Sequence, residues 1–231
     1  MQRKEVFLFY YGCCYFHVEK GKKMGLIKNF FDAAMEGRLK DVKKYWQDGH
    51  NIHVVNEKAL HDAALNGHLR VVRFLASKGA NLNKIDSYDL KRIISNGHYS
   101  TFKFLVENNA VEYYGFCASS VVACGKISLL KLCVKHGMDV NTYKDDLKKA
   151  VFSSGKLSML KCLVQMGMQV DEPDLFETIK SRSVYSLDKA KFLCTKIPNA
   201  RSIVEEASWR GEYSNSETFR KLQEYLKKQK N

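Results

Sequence analysis

Five glycines mark this chain at nearly equal steps: Gly37, Gly67, Gly97, Gly125 and Gly155, separated by 30, 30, 28 and 30 residues. Twelve residues after each stands Gly49, Gly79, Asn109, Gly137 or Gly167. A fixed period of this length restricts the fold to a stack of similar small units, because one unit of that size cannot bury its own apolar face.

The side chains around each anchor glycine specify what the unit is. Two residues after it come Leu39, Leu69, Tyr99, Ile127 and Leu157; five after, Val42, Val72, Phe102, Leu130 and Leu160; eight after, Tyr45, Leu75, Leu105, Cys133 and Leu163. With Phe74, Phe104, Leu132 and Cys162 one residue earlier, the spacing predicts a helix with one apolar stripe. Before the anchors stand Ala33-Ala34, Ala63-Ala64, Ile93-Ile94, Val121-Val122 and Val151-Phe152. Phe30, Leu60, Leu90, Ala118 and Leu147 lie a turn further back, which makes a second, shorter apolar helix. The anchor falls just past that helix, where a left-handed residue closes it without a Cβ penalty. Asn109 suits the equivalent place after the second helix, since Asn tolerates the same conformation.

Two weaker units follow. Phe176 and Ile179 fit a first helix anchored at Ser183, whereas Leu187, Ala190 and Leu193 fit a second helix anchored at Tyr185, so a two-residue insertion is expected in that turn. The last unit has Val204, Ala207 and Gly211, a polar loop, and a helix over Glu217–Lys230 with Phe219, Leu222, Tyr225 and Leu226. Its basic ending suits a terminal cap with a solvated outer face.

The clearest unit, Leu60–Asn83, resembles the ankyrin repeat in its Leu-His, paired alanines, Gly-His, Val-Val and Gly-Ala-Asn. The units around Gly37, Gly97, Gly125 and Gly155 share the pattern, and it fades beyond Asp174. Lys58-Ala59 replaces the family's Thr-Pro, so His61 lacks the threonine it commonly bonds. The period is about three residues short of the family's, a form similar to ankyrin proteins of giant amoeba-infecting viruses. The resemblance implies an all-α, ankyrin-type solenoid of about seven stacked helix-turn-helix repeats, with short loops replacing the β-hairpins. The expected organisation is an N-terminal extension over 1–23, then a single repeat domain over 24–231, with units near 25–54, 55–84, 85–113, 114–142, 143–172, 173–200 and 201–231.

Residues 1–23 do not fit the repeat. Arg3-Lys4 followed by Val6–Tyr11 faintly resembles a secretory signal, but the run is aromatic rather than leucine-rich and Gly12–Tyr15 is a poor cleavage site. An apolar cap or a tail is the expectation, and Met24 is a second possible start. No apolar run approaches a membrane span. Seven cysteines form an odd set without framework spacing, which points to a reducing compartment, the cytoplasm, and to the host cytoplasm if the chain is viral.

No motif suggests catalysis. Cys13, Cys14, His17, His50 and His53 lack the paired spacing of a zinc site. His61 and Asp62 are neighbours without a positioned nucleophile, and neither a phosphate-binding glycine loop nor His-Glu-x-x-His occurs. His68 and His98 belong to the repeat's turn. No cofactor is expected.

The expected function is therefore binding. In ankyrin proteins partners contact the concave face: the two residues before each anchor and the loop tips. Carried over by position, the first group is Met35-Glu36, Leu65-Asn66, Ser95-Asn96, Ala123-Cys124 and Ser153-Ser154. The tips add Asn56, Glu57, Asp86, Tyr88, Glu112, Tyr113, Tyr114, Tyr143 and Lys144, with the four tyrosines as interface-type residues. A monomer binding an unidentified protein, with no membrane, is the leading expectation. The alternative starts from the net charge of +13. Six residues after each anchor stand Lys43, Arg73, Lys103, Lys131, Lys161 and Lys191, a basic ladder on the convex side for nucleic acid or acidic partners. A third option is an adaptor for a ubiquitin ligase, although no helical docking box follows the repeats.

Overall fold

A computed structural model describes residues 7–11, 14–18, 22–108, 110, 115–153, 156–180 and 186–229. The chain divides into two compact units, Met1–Glu112 and Tyr113–Asn231. Among the described residues, fourteen α-helices form seven consecutive pairs.

The first unit holds three pairs: α1 (Lys22–Met35) with α2 (Leu39–Gln47), α3 (Val54–Leu65) with α4 (Leu69–Ser77), and α5 (Ser87–Ser95) with α6 (Tyr99–Glu107). First helices α1, α3 and α5 touch in sequence, and second helices α2, α4 and α6 do likewise, giving two layers. The residues five after each anchor, Val42, Val72 and Phe102, are fully buried, as are both members of Ala63-Ala64. The small alanine pair lets neighbouring first helices approach closely, while the stripes of the second helices fill the space between layers. Among the described residues the segments 48–53 and 78–86 contain no strand; a 3-10 turn at Leu82–Lys84 serves instead.

The second unit repeats the plan with α7 (Gly115–Ala123), α8 (Ile127–Lys135), α9 (Lys144–Ser153), α10 (Leu157–Gln165), α11 (Glu172–Lys180), α12 (Ser186–Cys194), α13 (Ala200–Trp209) and α14 (Glu217–Lys228). First helices α7, α9 and α11 pack in order. The closing pair departs from the pattern, since α14 packs on both α11 and α12. Tyr213, in the loop before it, stacks on Phe176 with ring centroids 4.9 Å apart. Ser216 caps α14 by accepting from Phe219 N–H at 3.2 Å, and its Oγ donates to Ile179 O at 3.0 Å. One hydroxyl thus starts one helix and finishes another.

Residues Phe7–Tyr11 and Cys14–Val18 form strands β1 and β2 of an antiparallel hairpin, with Phe9 opposite Phe16. Two runs rich in β-formers separated by Gly12-Cys13 carry the sequence signal for such a hairpin.

The anchor glycine has two duties. At Gly67 φ is +75°, and the turn is a Schellman closure: His68 N–H donates to Ala63 O at 2.8 Å and Gly67 N–H to Ala64 O at 3.1 Å. A Cβ at Gly67 would also collide with the His98 imidazole of the following pair. Gly37 stands in the same relation to His68, whose Nε2 lies 2.8 Å from Met35 O. Each Gly-His step is thereby a seam between neighbouring pairs.

One buried charge is unexpected. Lys189 is fully buried in α12, and its Nζ donates to Val151 O and Phe152 O, both at 2.9 Å, in the last turn of α9. It occupies the place four residues after the anchor, where Val71, Thr101, Leu129 and Met159 are also buried. Thr101 Oγ1 has no partner in that column. The C-terminal pole of α9 favours a cation, but burial outweighs it and lowers the Lys189 ammonium from 10.5 to about 8.

Gly67→Ala is expected to cost about 1 kcal/mol or more beyond Gly97→Ala in urea unfolding of the chain, because both residues have positive φ but nothing lies within 4 Å of a Cβ at Gly97. Equal losses would remove His98 from the account. For Lys189, the folded chain binds its proton less tightly than the unfolded one. Its penalty is complete below about pH 8 and disappears as pH rises toward 10.5. Wild type should gain about 3 kcal/mol over Lys189→Met across that window, and parallel pH profiles for the two proteins would contradict this.

Candidate binding surface

In the first unit the residues before each anchor come together as helix ends. Met35, Leu65 and Ser95 are the last residues of α1, α3 and α5, which lie side by side. Their backbones are committed to neighbours: Met35 O accepts from His68, and Leu65 O accepts from Asn96 Nδ2 at 3.4 Å. The side chains of Met35, Glu36, Asn66, Ser95 and Asn96 remain exposed, and Leu65 is half-buried. Arg38 pairs with Glu36 at 2.7 Å, and Asn66 Nδ2 donates to Asp62 O at 2.8 Å, so both are oriented. The second unit places Ala123 and Ser153 at equivalent helix ends, with Ser153 Oγ donating to Lys149 O at 2.6 Å and Cys124 Sγ donating to Val121 O at 3.0 Å.

The expected loop tips fare unevenly. Tyr88 is 59% exposed at the start of α5, and Asp86 caps that helix by accepting from Asp89 N–H at 2.8 Å. They lie about 10 Å along the helix from Ser95 and so form a separate group. Lys144 is exposed and Tyr143 half-buried. Glu112, Tyr113, Tyr114 and Ser154 lie outside the described residues.

Glu57 is a correction. It is buried rather than exposed, because Val55, Asn56 and Glu57 take left-handed φ angles of 62°, 51° and 63° that break the start of α3 and turn the carboxylate inward. There it meets His53 Nδ1 at 2.8 Å and accepts from Asn81 N–H at 3.2 Å. Asn56 stays exposed at the apex of the same turn. Glu57 therefore ties the loop of one pair to that of the next.

The basic ladder has an internal role that sequence spacing did not suggest. Lys43 Nζ lies 5.8 Å from the centre of the Phe74 ring, Arg73 lies 5.5 Å from Phe104, and Lys161 lies 5.8 Å from Phe192. A cation six residues after one anchor thus covers the ring seven residues after the next. Lys191 makes the corresponding contact with Tyr225 at 4.9 Å. Trp46, 39% exposed, meets the Phe74 edge at 6.1 Å and lies under Lys78 Nζ at 3.9 Å. Such contacts are worth about 0.5–1 kcal/mol at exposed sites. Lys103 pairs with Glu107 at 3.6 Å, and Lys131 is exposed.

Polar bridges also join first helices. His61 Nδ1 lies 2.9 Å from Asp89 Oδ2 between α3 and α5, so Asp89 takes the place of the missing threonine. Lys148 of α9 reaches Asp174 of α11 at 2.8 Å and Asp171 at 3.5 Å. Asp171 and Asp174 accept from each other's backbone N–H groups, a reciprocal cap. These histidines and carboxylates hold helices together. The His50 ring packs on Tyr45 with centroids 4.6 Å apart. Among the described residues no three His, Cys, Asp or Glu gather as a metal site would require. Burial raises the Cys117 thiol to about 12 and the Cys194 thiol to about 11, far from thiolate reactivity.

An ankyrin-repeat family model matches residues 30–114 in three copies, a range that begins within α1 and includes α2 to α6. No curated protein and no solved structure matches the chain. The paired helices that follow the hairpin agree with an ankyrin-type repeat solenoid. Ankyrin repeats in general serve as protein-interaction scaffolds and the family is typically non-enzymatic. No helix among the described residues is long and apolar enough to cross a membrane.

Glu57→Ala is expected to destabilise the first unit by about 1–3 kcal/mol, since it leaves the Asn81 N–H without its acceptor. Asn56→Ala should cost less. Chemical denaturation of the two variants followed by circular dichroism decides the matter, and the opposite order would return Glu57 to the surface.

Proposed function

We propose that this chain is a non-catalytic scaffold that binds a partner protein through the first-helix ends of its repeats. The observation that carries this reading is the row Met35, Glu36, Asn66, Ser95 and Asn96: exposed side chains that vary from pair to pair, on backbones pinned by neighbouring pairs. Core packing does not require these residues. A pre-ordered surface loses little conformational entropy on binding, so a few side chains can determine affinity. Met35, 44% exposed, supplies an adaptable apolar contact within the row, and Tyr88, at the opposite end of α5, a second and aromatic one. In the sequence of the second unit, Tyr113, Tyr114, Tyr143, Lys144, Ser153 and Ser154 stand at loop-tip and pre-anchor positions and are proposed as partner-binding residues there. The protein acts as a monomer in a reducing cytoplasm, where free thiols such as Cys117, Cys133 and Cys162 persist. The short repeat period supports a viral source, and with it the host cytoplasm.

The test is affinity capture with the purified chain, followed by a titration with the captured partner. Met35→Ser combined with Tyr88→Ala should weaken the complex at least about tenfold, equivalent to about 1.4 kcal/mol, with helicity unchanged. Unaltered affinity in the folded double variant would relocate the site.

A further inference from the structure

The net charge of +13 is not spread evenly over the fold. The second helices α2, α4, α6, α8, α10 and α12 carry eleven Lys and Arg against three acids, Asp41, Glu107 and Asp188. Their first-helix counterparts α1, α3, α5, α7, α9 and α11 carry ten against nine. A polar face alone explains solvation, but it does not explain why one layer has few acids and the other nearly as many acids as bases. Helices α4, α8 and α10 contain none.

In the first unit both acids of this layer are already neutralised, Asp41 by Arg38 and Glu107 by Lys103. Lys40, Lys43, Lys44, Arg70 and Arg73 are exposed, and none of them forms an ion pair with another of the described residues. Two are held in place, Lys43 over Phe74 and Arg73 over Phe104. Neighbouring helices of a layer lie about 10 Å apart, so the cations of α2 and α4 form one basic patch.

We propose that the second-helix layer of the first unit binds the phosphate backbone of a nucleic-acid duplex without reading its sequence. A patch of unpaired cations without buried apolar anchors suits a uniform polyanion, whereas a protein partner calls for desolvated aromatic anchors. Single strands are disfavoured because their bases need open rings to stack on; Phe74, Phe104 and Trp46 are already covered by Lys43, Arg73 and Lys78. A membrane surface would call for an apolar face beside the charges, and Trp46 is the one large hydrophobic residue exposed on α2, α4 or α6. This layer is distinct from the first-helix ends assigned to a protein partner, so either reading can fail without the other.

The experiment is fluorescence anisotropy of the full chain with labelled RNA and DNA duplexes of unrelated sequence. Affinity should be alike for all sequences and fall several hundred-fold, roughly, between 50 and 200 mM salt if about five phosphates are neutralised. Lys40→Glu, Lys44→Glu and Arg70→Glu together, none of which touches a ring, should weaken binding by about a hundredfold or more. The control is Lys28→Glu, Lys91→Glu and Arg92→Glu on first helices, an identical change in net charge, which should cost far less. Circular dichroism verifies that both triple variants are folded, and Lys→Gln and Arg→Gln versions serve if a reversal is not. Equal losses in both triples would overturn the assignment, as would no binding at low salt. Tighter binding to single strands, to polyglutamate or to phosphatidylserine vesicles than to duplexes would overturn it as well.

Discussion

Leu60, Ala63 and Ala64 are sealed because α1 covers one side of α3 and α5 the other. No helix pair in either unit has enough apolar surface to dry its own stripes, so burial is shared between neighbours and every other feature is fitted to that sharing. The contacts that strengthen it run from one pair to the next: His68 to Met35, Glu57 to Asn81, His61 to Asp89, Lys148 to Asp174 and Lys189 to the end of α9. Polar side chains thereby do at the seams what the alanine, isoleucine and valine pairs do in the core.

The two layers have taken on different chemistry. First helices keep positive and negative residues in near balance and use them against each other, which leaves their exposed ends free to vary. Second helices accumulate cations and place several of them over rings of the following pair. Such a cation keeps its charge while losing much of its freedom to move. The first-helix layer therefore presents a chemically varied surface and the second-helix layer a predominantly basic one.

Much of this could be read from residue order because the repeat imposes a phase. Once Gly67 is fixed as an anchor, Val72, Leu75, Ala63 and Ala64 must face inward, and they do. The row of first-helix ends follows from the same phase. What escaped depends on relations between units or on local backbone. Lys191 and Tyr225 are 34 residues apart and belong to different pairs, so no single repeat displays their contact. Glu57 looked like a loop tip because nothing in Val55-Asn56-Glu57 announces three successive left-handed residues, least of all a β-branched valine. Lys189 was hidden by its own type: its column holds Val71, Leu129 and Met159, but a lysine in an apolar column reads as a surface residue until its two carbonyl partners are seen.

The ring-and-cation contact also bears on how such an array can lengthen or shorten. It is divided between pairs, with the cation in one and the ring in the next, so a pair is self-sufficient as a module only if it carries both halves. The Gly67 pair does, with Phe74 to receive Lys43 and Arg73 to cover Phe104. A tandem duplicate of it would find complementary partners on either side from the generation in which it arose. The Gly125 pair has Leu132 where the ring would stand, and its copies would join the array with one connection missing. A copy of the Gly67 pair would thus keep both of its ring-and-cation contacts, whereas a copy of the Gly125 pair would lack one.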